Sequence, residues 1–89
     1  MHAVVVNVSI HDADGARKVL DEQVVPRVSS APGFVAGYWT WADDRSNGES
    51  MIVFESEEAA RTAVDQIRAT IPDEVTLERA DVREVVASA

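Results

Sequence analysis

Few residues in this chain carry types and spacings that could do chemistry. Asn7 is a polar side chain inside the otherwise apolar run Ala3-Val4-Val5-Val6-Asn7-Val8-Ser9-Ile10. A buried amide needs hydrogen-bond partners. It is either satisfied by neighbours or water at a sheet surface, or aimed at a ligand's carbonyl or oxygen. Trp39 and Trp41 are two residues apart, so on a strand they share a face. They either fill a core or interface or form a stacking wall for a flat aromatic ligand. Tyr38 points the other way and does not join them in one site. His11, Asp12 and Asp14 are metal-ligand types, but they precede a helix, where aspartates cap backbone N–H groups, and capping is the stronger reading. Glu55, Glu57 and Glu58 read as a solvated helix start and not as an acid–base pair. Arg79 and Arg83, among Glu78, Asp81 and Glu84, read as exposed cross-strand pairs. The chain has no cysteine, which excludes disulfides, thiolate catalysis, iron–sulfur clusters and cysteine-ligated zinc. These residues contain no recognisable nucleophile or acid–base set.

The elements that must position these residues are more legible. The run from Ala3 to Ile10 is a strand with Val4, Val6, Val8 and Ile10 on its drier face, assigned to the helix side, and Ala3, Val5, Asn7 and Ser9 opposite. Ala16, Val19, Leu20, Val24 and Val28 make a helical stripe, which Pro26 should kink or restart. Ala31-Pro32-Gly33 ends it. A second strand runs from Phe34 to Trp41. Its faces carry Phe34, Ala36, Tyr38 and Thr40 on one side, and Val35, Gly37, Trp39 and Trp41 on the other. The segment from Asp43 to Gly48 is hairpin-loop chemistry, with Asn47-Gly48 expected to supply positive φ. Ser50 to Phe54 is a third strand. Ser56 caps a second helix whose stripe is Ala60, Ala63, Val64, Ile67 and Ile71, stopped by Pro72-Asp73. A fourth strand lies between Glu74 and Val86, and the blurred alternation after Leu77 predicts a bulge or a change of environment.

Strand, helix, strand, strand, helix, strand is the βαββαβ order of an α+β, ferredoxin-like domain. It predicts a four-stranded antiparallel sheet with both helices on one face. The other face is left bare, with Val5, Asn7, part of the second strand's aromatic set and Ile52 or Phe54 expected on it. An apolar face of that size calls for a cover, and a second copy of the chain is the simplest. The expected assembly is a homodimer.

Composition narrows the partners. Eighty-nine residues make one domain, spanning 1–89. The net charge is −8, from 16 acidic and 8 basic side chains, and Arg17-Lys18 is the one adjacent basic pair. Nucleic acid and anionic membranes are therefore not expected partners. No apolar run is long enough to span a bilayer, and the N-terminus lacks the pattern of a signal peptide, so a cytoplasmic location is expected.

Three segments together resemble a known family. They are the first strand with Asn7; Val25-Pro26-Arg27-Val28 followed by Ala31-Pro32-Gly33-Phe34 and a strand reaching Trp39; and Val53-Phe54-Glu55-Ser56-Glu57-Glu58-Ala59 opening the second helix. The pattern is similar to the antibiotic biosynthesis monooxygenases of the dimeric α/β barrel superfamily. That resemblance implies a homodimer binding a small aromatic or polyketide-like ligand, with oxidation that needs no metal, flavin or other cofactor. Asn7 would line the pocket together with one face of the second strand, either Trp39 and Trp41 or Tyr38. Asn7 stands where haem-degrading relatives carry an asparagine, and Phe54 stands where they carry a tryptophan. The expected substrate-binding set is Asn7, Trp39, Trp41 and Phe54, on the open sheet face, with Gly37 leaving room for a ligand. Those relatives carry an axial histidine on the second helix. This chain has none between Glu55 and Ile71, which makes haem degradation the third reading, behind a monooxygenase-like binder and a non-catalytic dimeric module.

Overall fold

The computed structural model describes all 89 residues. β1 (His2–Ile10) leads into α1 (Ala13–Val19), a π-helical turn (Leu20–Val24) and α2 (Val25–Ser29), which run without a break in backbone helicity. β2 (Phe34–Trp41) and β3 (Asn47–Phe54) form a hairpin, followed by α3 (Glu57–Ala69) and β4 (Val75–Glu84). The sheet order is β2-β3-β1-β4, antiparallel throughout. β1 is therefore paired on both edges, which suits its β-branched composition.

Local chemistry accounts for the boundaries. Asp12 caps α1 by accepting from the Gly15 N–H at 3.0 Å, and Ser56 caps α3 by accepting from the Ala59 N–H at 3.1 Å. Both use a side-chain oxygen to satisfy a donor that the helix leaves free. His11 bonds Thr76 across the sheet, so it and Asp12 are engaged separately. The stretch before Pro26 widens: the Val25 N–H reaches back five residues to the Leu20 carbonyl. Proline lacks the donor that would continue the ordinary ladder and crowds the carbonyl four residues back, and a π-type turn accommodates both.

Register decides the faces. Val4 stands opposite Ile52 and Val82, and Val6 opposite Ser50 and Ala80. The core joins Val4, Val6, Ile52, Phe54 and Ala80 to Val28, Ala60 and Ala63 of the helices. The even-numbered residues of β1 face the helices, as expected. So do both Ile52 and Phe54, and this corrects the expectation that one of them lies on the open face. The bulge expected in β4 is present: the register shifts between Asn7 and Val8, which moves Leu77 and Ala80 onto one side. A second bulge near Val35 puts Phe34 on the helix side, its ring 6.2 Å from Phe54 and nearly perpendicular to it. The hairpin departs from expectation too. The positive φ falls on Arg45, and Asn47-Gly48 already belong to β3. Gly48 is needed for space, since a Cβ there would meet the Thr40 carbonyl at 2.9 Å.

Candidate ligand site

β2 pairs with β3 so that Trp39 stands opposite Ser50 and Trp41 opposite Gly48. Ser50 in turn stands opposite Val6. Directly paired residues share a face, so both tryptophans point to the helix side. The bare-face position expected for them is corrected by this register. Asn7 lies opposite Glu49 and Arg79, in the row of Thr40, on the other side of the sheet. The four expected site residues are thus not one cluster. Asn7 is partly buried on the open face, its Nδ2 donating to the Gly48 carbonyl over a long 3.4 Å. Phe54 is fully buried in the core. Trp39 and Trp41 stay together.

What they frame is a cavity of about 130 Å³ between the sheet and the first helical segment. Val6, Val8 and Ile10 form its sheet side with the two tryptophans, and Val19, Leu20 and Val24 close it from α1 and the π-helical turn. Fourteen of its 19 lining residues are hydrophobic. The turn's extra residue helps set this wall, because it offsets the residues on either side of it around the helix. Gly37 does not open space for a ligand as expected. A Cβ there would lie 2.9 Å from Cη2 of Trp39, so the indole itself occupies the room that the missing side chain leaves.

Two polar features stand against this apolar lining. Ser50 is half-buried between Trp39 and Val6 on the cavity side, and its hydroxyl takes part in none of the side-chain hydrogen bonds of the fold. Sequence reasoning missed Ser50. Its signal was available, as the one hydroxyl at an inward position of β3, but it needed the register to be seen. Arg17 belongs to the lining, and Arg45, outside it, has its guanidinium carbon 5.0 Å from the centre of the Trp41 ring, which does belong to it. The lining holds no carboxylate, imidazole or thiol.

The open face carries Val5, Asn7, Met51, Val53 and Tyr38, with Tyr38 73% and Met51 51% exposed. No helix is long and apolar enough to cross a membrane.

No protein-family profile and no curated protein matches the sequence. Solved structures do match in shape. A dimeric ferredoxin-like protein from an uncultured marine organism superimposes with a TM-score of 0.66 at 13% identity, over 100% of this chain and 98% of the other. A monooxygenase from the gene ActVA-Orf6 of Streptomyces coelicolor, solved with nanaomycin D, gives 0.64 at 16% identity over 99% and 92%. The haem degrader MhuD of Mycobacterium tuberculosis, solved with two haems in its active site, gives 0.55 at 20% identity over 97% and 98%. At these identities the likeness shows the fold, and that fold is ferredoxin-like.

Proposed function

We propose that the chain is a homodimeric small-molecule-binding protein of the cofactor-independent monooxygenase kind, taking a flat aromatic or polyketide-like ligand in the cavity beside Trp39 and Trp41. The carrying observation is that apolar cavity with the unpaired Ser50 hydroxyl in its wall. Indole faces stack on planar ligands, and a few polar groups in an apolar pocket fix orientation as well as affinity. In the reaction that this reading implies, an electron-rich ring supplies its own electrons to dioxygen. A ring methylene and O₂ give a ring carbonyl and water. The chain would exclude water, stack the ring, and donate the Ser50 hydroxyl to a developing oxyanion. The fold-level likeness to a monooxygenase solved with nanaomycin D supports the choice of ligand class.

A second reading, binding without turnover, is favoured by one observation: the lining contains no residue that could accept a proton at neutral pH. Haem degradation ranks third, since α3 carries no histidine.

Tryptophan-fluorescence titration with naphthols, anthrones and quinones, paired with an oxygen electrode, tests these readings. Binding with oxygen uptake supports the enzyme, and binding alone supports the second reading. Ser50→Ala should weaken carbonyl- or hydroxyl-bearing ligands about three- to tenfold, the worth of one hydrogen bond. If no ligand quenches the tryptophans, the site reading fails.

A further inference from the structure

We infer that the cavity selects aromatic ligands bearing an anionic group, held at its rim by Arg17 and Arg45. This rests on reading the cavity as an aromatic-ligand site. In a chain with twice as many acidic as basic side chains, the charge at the cavity has the minority sign. Arg17 is the single charged residue of the lining. Arg45 lies over Trp41, itself a lining residue. Its placement is built into the hairpin. The Arg45 N–H donates to the Ala42 carbonyl at 2.8 Å and its backbone takes a φ of 60°, while Asp44 is bound by Ser46 on the next position but one.

Both guanidinium groups have free capacity. Arg45 makes none of the ion pairs of the chain. Arg17 gives its Nε to Asp21 at 2.9 Å, which leaves its terminal N–H groups without a protein partner. The depth of the cavity sets the orientation. A charged group against Val6 and Val8 would be desolvated without a counter-ion, so the anion belongs outward at the arginines. The apolar ring goes inward, and a neutral oxygen reaches Ser50. A carboxylate or phenolate suits the planar fork of arginine.

Isothermal titration of the full chain with 2-naphthoate and 2-naphthol tests this. At low salt naphthoate should bind about three- to tenfold more tightly than naphthol, the range that two exposed charge contacts supply. Raising the salt should shrink the advantage. The double variant Arg17→Gln, Arg45→Gln should lose it, with unchanged circular dichroism. Arg61→Gln, which removes a cation paired with Glu57 outside the cavity lining, should keep it. Equal or tighter binding of naphthol, or a preference that survives the double substitution, overturns the inference while leaving the aromatic site intact. Failure of both compounds to bind overturns the site reading and the inference with it.

Discussion

Phe54 is fully buried, packed edge-on to Phe34 and flanked by the α3 alanines of the core. Phe54→Ala should therefore cost about 3–5 kcal/mol in chemical denaturation, the sum of lost transfer energy and a cavity that the sheet cannot close. Asn7→Ala should cost no more than about 1 kcal/mol, because its one protein hydrogen bond is long and its surroundings are partly open. It should leave ligand titrations unchanged, since Asn7 and the cavity lie on opposite faces. The reverse pattern, a mild Phe54→Ala and an Asn7→Ala that abolishes binding, would mean that the register of β1 against β3 is wrong. That register is also where residue-level reading of the sequence stopped. The shared face of Trp39 and Trp41 follows from their spacing alone, as does the opposite face of Tyr38. Which face meets the helices depends on Trp39 standing across from Ser50 and Val6. Nothing within β2 encodes that pairing, because both of its faces carry aromatic residues.

At the scale of elements, the order of strands and helices, both helix caps and the bulge in β4 were legible, because each is written in local chemistry. Asp12 and Ser56 cap where aspartate and serine precede apolar stripes. The bulge appears as a break in alternation after Leu77. The π-helical turn was visible only as a disturbance at Pro26. The β2–β3 turn was misplaced because Asn-Gly is the commoner source of positive φ, whereas here Asp44 organises the turn and Arg45 takes the left-handed position. The Ser46 hydroxyl donates to the Asp44 carboxylate at 2.7 Å and the Ser46 N–H at 3.0 Å. These bonds, the hydroxyl's first, hold the Asp44 carboxyl below its ordinary 3.8. A carboxyl whose pKa is lower folded than unfolded stabilises above the unfolded value and loses that contribution as pH falls through the folded value. Wild type should thus melt above Asp44→Asn at neutral pH, and the difference should vanish as the pH drops through 3.8 and below. A difference that persists in acid would show that the turn does not depend on the ionised carboxylate.

The molecule as a whole is short of core. Ten of its 89 residues are buried, and the open sheet face exposes Tyr38 and Met51 beside Val5 and Val53. A chain of this size has little apolar burial to set against its conformational entropy. Covering that face would extend the core without lengthening the chain. A standard interface takes about 800 Å² from each partner, roughly a seventh of the 5605 Å² surface of this chain. Tyr38, Met51, Val5 and Asp81 form one row across the face, with Thr40, Glu49, Asn7 and Arg79 beside it. Tyr38 and Met51 are of types enriched in subunit interfaces, and Arg79 and Asp81 lie on the edge strand β4, where an interface has its polar rim. Sedimentation equilibrium at micromolar concentration should give twice the 9.7 kDa chain mass. Met51→Glu places a charge in the apolar row and, in an isologous pair, does so twice near one axis. It should yield a monomer with a lower melting temperature that no longer depends on protein concentration, whereas the wild-type melting temperature should rise with concentration. Charge on the helix side would act differently: Ile52→Glu, one residue on but facing the core, should unfold the chain instead of separating it. A stable wild-type monomer that does not aggregate, or a Met51→Glu variant that still sediments as a dimer, would remove the open face as the interface.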